Sequence, residues 1–293
     1  MEQRPDSKKT TFLFWEVIFS ILIFALGIFA SYRFYIFLGD NKEILPESTF
    51  IEFLSLFALG TIAVIILNFF LRKKKNLRKN FYKIVFFVAN IYGALTILPV
   101  IFTLFFIPPL WGNIITIILV IVLFFKWHRK PLIWNHDLLM ILGLAGTGGM
   151  IGLELRRPEL VAALLAILTI YDFIAVYMTR HMVKMTEAMI ETQTIIGLVI
   201  PSKTKEFKEM VPNSETRKRF VILGGGDLAI PLMLATSFIP FGIQKSIIVA
   251  IFALIGMALS VWLFYSQKEK QAIPALPAIS FLSLIGCVIA IIS

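Results

Sequence analysis

Asp172 and Asp227 are the residues of this chain best placed to do chemistry. Each interrupts an apolar run, Asp172 in "LTIYDFIAVYM" and Asp227 in "GGGDLAIP". An ionised acid deep in a membrane span costs about 2.5–3.5 kcal/mol or more, so a functional role is the default reading for both. Asp172 precedes Arg180 by eight residues, and Asp227 follows Arg219 by eight. If both stretches are helical, a rise of about 1.5 Å per residue places the two carboxylates about 12 Å in from the same membrane face, on consecutive antiparallel helices. Two acids at one depth form a dyad that can share a proton, one group acting as base and the other as acid. The same pair could instead relay protons or hold a cation, as in a channel or transporter. Glu16 in "FLFWEVIF" is a third, shallower acid whose neighbours Trp15 and Lys9 point to an anchoring place at the membrane interface.

Two further features flank the aspartates. Gly224, Gly225 and Gly226 directly precede Asp227. Each costs a helix about 1 kcal/mol relative to alanine, but their missing side chains permit close approach of a backbone. Pro231 follows one turn later and would free the carbonyl of Asp227 itself. The second feature is "QAIPALPAISF", where Pro274 lies four residues beyond Lys270 and so about 6 Å below the same face as the dyad. The glycine-rich "GLAGTGGMIG", by contrast, reads as ordinary small-residue packing between helices.

The elements that must hold these residues are membrane helices. The chain has 293 residues, of which 58% are hydrophobic and 16% charged, and its apolar runs approach twenty residues. That composition belongs to an all-α polytopic membrane protein. Apolar runs and charged breaks give nine spans: 12–38, 50–71, 82–106, 109–126, 137–153, 158–179, 220–239, 244–265 and 274–292. The first run is too long for a cleaved signal peptide and is read as a retained helix. On this pattern 23 of the 28 lysines and arginines fall on one side and 4 on the other, with Arg33 inside the first span. The positive-inside rule then puts the N-terminus in the cytoplasm and the C-terminus outside the cell membrane. The +10 net charge is explained by the same asymmetry, with anionic lipid of the bilayer as its partner and no need of nucleic acid.

A segment of about forty residues, 180–219, divides the chain into a six-span part (1–179) carrying the first aspartate and a three-span part (220–293) carrying the second. Its start reads as an amphipathic helix, "TIIGLVIP" as a short strand, and the rest as polar chain. The single cysteine, Cys287, has no partner for a disulfide and no ligand set around it, so neither metal nor cofactor is expected. No histidine begins an HExxH motif, and no glycine is followed two positions later by serine, which removes zinc and rhomboid-type serine chemistry. The type IV prepilin peptidases also use two aspartates, but many carry a cysteine-rich module that one cysteine cannot supply.

Taken in order, Tyr171-Asp172 in span six, Gly224-Gly225-Gly226-Asp227 in span seven and Pro274-Ala275-Leu276 in span nine resemble the motifs of the GxGD intramembrane aspartyl proteases, presenilin and signal peptide peptidase. The charge count is most similar to the presenilin branch, and the compact chain looks most like a microbial, archaeal-type presenilin homologue. The resemblance implies a nine-helix presenilin-like fold and an endopeptidase that cuts transmembrane helical substrates. It implies Asp172 and Asp227 as the catalytic pair, with Tyr171 supporting the first aspartate. Gly224, Gly225 and Gly226 would shape the approach to the second, and Pro274, Ala275 and Leu276 would form part of the cleft. It implies no obligatory accessory subunits, and it leaves oligomeric state open, a homo-oligomer included. Against a transporter, the sequence has no inverted repeat and no matched pair of interrupted helices.

Overall fold

The computed structural model describes residues 5–39, 55, 59, 70, 75–179, 181–213, 216, 219–267 and 273–293. The expected span at 50–71, apart from residues 55, 59 and 70, falls outside the described residues. The others form helices because a chain in lipid must satisfy its backbone internally. They are α1 (Pro5–Leu38), α2 (Lys75–Leu104), α3 (Pro109–Arg129), α4 (Ile133–Leu155) and α5 (Pro158–Phe173). A π-helical turn, Ile174–Met178, continues α5 to the end of its span. Prolines open α3 and α5 at the first helical position, where a missing amide is harmless. After the intervening segment come α7 (Gly225–Ser237), α8 (Ile243–Ser266) and α9 (Leu276–Ile292). Among the described residues six helices are long and apolar enough to cross a membrane, and α7 and α9 are shorter apolar helices. The protein is a multi-pass, all-α membrane protein.

The 180–219 segment is more ordered than a polar connection. It holds α6 (His181–Thr192), strand β1 (Gly197–Pro201) and a 3-10 turn at Thr204–Lys208. The helix and the strand are where the sequence placed them. The expected span at 220–239 is corrected at its start: Phe220–Gly224 is a strand, β2, and the helix begins only at Gly225. Phe, Val and Ile favour a pleated strand, and three consecutive glycines are poor at nucleating a helix turn, so pairing with β1 wins over helix extension. β1 and β2 run antiparallel, with Gly197 opposite Gly224 and Pro201 opposite Phe220.

At the centre lies α4, packed against α1, α2 and α7. Its glycines make this possible. A Cβ on Gly152 would collide with the backbone carbonyl of Met233 on α7, one on Gly146 with the carbonyl of Gly93 on α2, and one on Gly149 would come within 2.9 Å of the Gly27 carbonyl on α1. The packing reading of "GLAGTGGMIG" is therefore right. Among the described residues α3 leaves Ile114, Ile117, Ile118, Ile121 and Phe125 exposed, as a lipid-facing surface allows.

Candidate active site

Asp172 sits in the last turn of α5, and the π turn begins two residues later. It is 3% exposed. Its carboxylate is held by the start of α9: the Leu276 amide donates to Oδ2 at 3.2 Å, with the Ala275 amide beside it. The first amides of a helix have no partner within it, and its N-terminus carries partial positive charge, so an acid there is stabilised. Pro277 at the second helical position removes one competing donor. One turn before Asp172, the hydroxyls of Thr169 and Ser280 bond at 2.5 Å, a second tie between α5 and α9.

Asp227 is the third residue of α7, in its first turn rather than deep inside a helix. The depth match at helical rise is thus corrected, because residues 220–224 are extended and advance about 3.3 Å each. α5 packs against α7, and the charges of Asp172 and Asp227 lie close enough to interact. Pro231 lies inside α7 one turn on, so the Asp227 carbonyl has no amide to accept from at that position.

The three glycines differ in what they make room for. Gly224 caps α7 in an extended conformation, and a Cβ there would come 2.9 Å from Asp227 Oδ2. Its missing side chain gives space to the neighbouring carboxylate, not to another helix. Gly225 is buried against Leu144 of α4 and donates its amide to the Ile196 carbonyl at 3.3 Å. Gly226 is exposed, and a Cβ there would meet only Ile230 Cδ1 at 3.9 Å. Of the remaining expected residues, Pro274 and Leu276 are buried beside Asp172 and Ala275 is half-buried. Tyr171 stands apart: it is 39% exposed and makes no hydrogen bond to Asp172, since consecutive helical side chains point about 100° apart.

Sequence reasoning missed the neighbours of the sheet. Trp127 of α3 donates to His136 Nδ1 at 3.2 Å, and His136 Nε2 reaches the Gly197 carbonyl of β1 at 3.0 Å. The buried Asp137 accepts the Val199 amide of β1 on Oδ1 at 2.8 Å. The only signal in the sequence was an acid and an imidazole at the very start of an apolar run, where solvation looks cheap. Glu16 is more enclosed than its place near the start of a span suggested. It is 3% exposed, and neither carboxylate oxygen makes a hydrogen bond among the described residues. α8 packs against α1, and Glu16 and Ser20 line a cavity of about 270 Å³ with Leu254 and Ile255.

The chain from residue 40 to residue 293 matches the model of the family described as signal-peptide peptidase, presenilin aspartyl protease. A presenilin family intramembrane aspartate protease solved in space group C222 has the same fold, with a TM-score of 0.60 at 18% identity over 93% of this chain and 94% of that one. A second structure so described, in space group P2, gives 0.57 at 18% identity over 94% and 96%. None of the curated proteins matches.

Proposed function

The chain belongs to the signal-peptide peptidase and presenilin aspartyl protease family, and on the premise that it is an intramembrane aspartyl protease we propose that Asp172 and Asp227 are its catalytic pair. The observation that carries this reading is the placement of the two aspartates on packed helices, one held by the α9 N-terminus at the end of α5 and the other in the first turn of α7. One carboxylate takes a proton from a water that attacks the scissile carbonyl, and the other gives a proton to the departing amine. The intermediate is tetrahedral and not covalently attached to the protein. Pro274, Ala275 and Leu276 serve through their backbone, which sets the orientation of Asp172. Gly224 leaves room for the Asp227 carboxylate, Gly225 joins sheet to helix, and Gly226 leaves an open approach. Tyr171, turned outward, supports the site by packing α5 rather than by touching the dyad.

Substrates are transmembrane helices, which must unwind before a peptide bond can be reached, because their backbone groups are internally bonded. An unwound strand then extends the β1–β2 sheet. Ile196, Leu198 and Ile200 face β2, as the Gly225-to-Ile196 and Ser202-to-Arg219 bonds at either end require. By the same alternation Phe220, Ile222 and Gly224 turn their backbone groups to the far edge of β2, three residues from Asp227 at the nearest. Replacing residues 194–200 with glycine and serine slows cleavage on this reading; an unchanged rate removes the sheet from the mechanism.

By the positive-inside reading of the sequence the N-terminus and the 180–219 segment are cytoplasmic, and that segment divides the protein into a six-span part bearing Asp172 and a three-span part bearing Asp227. Reporter fusions at the two termini test that orientation. The decisive test of function is cleavage of a single-span reporter in liposomes by wild type, Asp172→Ala and Asp227→Ala. Both substitutions lower product formation by about 10²- to 10⁴-fold; a mutant that cuts near the wild-type rate rules out the dyad, and ion flux lost with these residues while wild type cuts no peptide would favour transport instead.

A further inference from the structure

β1 has two edges, and only one is paired with a strand. Its even-numbered residues bond to β2, so the backbone groups of Gly197 and Val199 point the other way, toward α4. An unpaired edge is normally a template on which another strand can grow. Here it is closed by side chains. The Val199 amide donates to Asp137 Oδ1 at 2.8 Å, and His136 Nε2 lies 3.0 Å from the Gly197 carbonyl. Because His136 Nδ1 accepts from the Trp127 indole, the ring proton sits on Nε2 and donates to that carbonyl. The imidazole is further fixed by stacking on Phe86, with centroids 5.1 Å apart and planes 13° apart. Both groups are fully or almost fully buried and belong to the first two turns of α4, the most enclosed of the long apolar helices among the described residues. Next along β1, Pro201 has no amide to offer that edge.

We propose that His136 and Asp137 are positioning residues, a side-chain clamp that seals the outer edge of β1 and fixes the register in which β2 presents a substrate strand to Asp227. This deepens the proposed function and rests on its sheet-extension step. The clamp grips Gly197 and Val199, and the residues opposite them in β2 are Gly224 and Ile222. A slip of β1 is thereby transmitted to the residue that caps α7 and leaves room for the Asp227 carboxylate. It also makes the choice of edge absolute, since a substrate strand can add only beside β2. A one-residue change of register would turn every side chain of the strand to the opposite face. The clamp therefore controls which peptide bond is cut more than how fast it is cut.

The test combines the cleavage position with a measurement that needs no activity. Purified full-length protein in liposomes cuts a single-span reporter, the products are sized by mass spectrometry, and amide hydrogen exchange is followed across residues 196–202. Asp137→Asn keeps an acceptor for Val199 and retains the wild-type product and exchange. Asp137→Leu and Val199→Pro remove the same bond from its two sides; proline is acceptable at an outward-facing edge position. Both give two or more products from a reporter that wild type cuts once, and β1 exchanges at least ten-fold faster. His136→Gln preserves a donor for Gly197, and His136→Phe keeps only the stack and shifts the products. A wild-type product pattern from both Asp137→Leu and Val199→Pro, with rate loss matching lost folded protein, overturns the proposal. So does unchanged exchange in β1. If wild type itself cuts nothing, the function has failed, while the exchange arm still reports whether the clamp holds the strand.

Discussion

Two groups of glycines in this protein look alike in the sequence and serve opposite ends. On α4 the glycines let three helices approach until backbone meets backbone, and any added carbon would strike a carbonyl or a Cα of α1, α2 or α7. At the junction of β2 and α7 only Gly225 is packed against a neighbouring helix, and there against the Leu144 side chain rather than a backbone, while Gly224 and Gly226 leave space for a carboxylate and for an open approach. The first group gives up helix propensity to gain contact area; the second gives it up to keep a volume empty. Small residues in a membrane helix therefore say that something comes close, without saying whether it belongs to the protein.

Substitutions separate the two uses. The largest effect is at the site: Asp227→Ala lowers cleavage by about 10²- to 10⁴-fold, the contribution typical of a positioned acid or base, with thermal melting in detergent unchanged. A parallel loss of melting temperature would mean that the acid holds the fold. Gly152→Leu does the reverse, because its side chain must displace the α7 backbone at Met233. It lowers stability by about 1–3 kcal/mol or more, and specific activity per folded molecule stays near wild type. Gly224→Ala is intermediate, since the new methyl crowds Asp227 Oδ2 at 2.9 Å. Melting is nearly unaffected, and kcat falls by about 10- to 100-fold as the carboxylate is displaced. The smallest effect is at Gly226, where a methyl has open space and alanine is the better helix former by about 1 kcal/mol. Gly226→Ala raises the melting temperature slightly and weakens cleavage only through KM; a change in kcat alone would place the reacting groups, not the substrate path, beside it.

Much of this was legible beforehand for a physical reason. Lipid imposes a strict rule on backbone polar groups, so long apolar runs convert directly to helices. α8, expected at 244–265, is found at Ile243–Ser266. An acid in such a run is anomalous enough to mark itself, which is why Asp172 and Asp227 stand out as candidates. The rule weakens where the chain leaves lipid for protein. "FVILG" is as apolar as any helix, and what made it a strand was the existence of "GLVIP" as a partner, a long-range pairing that local composition does not encode. Asp137 was overlooked for the same reason: its partner, Val199, lies 62 residues away.

The π turn at Ile174–Met178 has a consequence in the currency of chain length. A helix with one additional residue in a turn has absorbed an insertion without growing a loop. Everything beyond Phe173 is rotated by about 100° relative to an uninterrupted helix, and the half of the span that bears Asp172 is untouched. Removing a single residue from 174–178 would rewind the turn to an ordinary one, leaving Asp172 against Leu276 and swinging Met178 and its neighbours to a new heading. The far end of this span can thus change length in single-residue steps while the aspartate keeps its address.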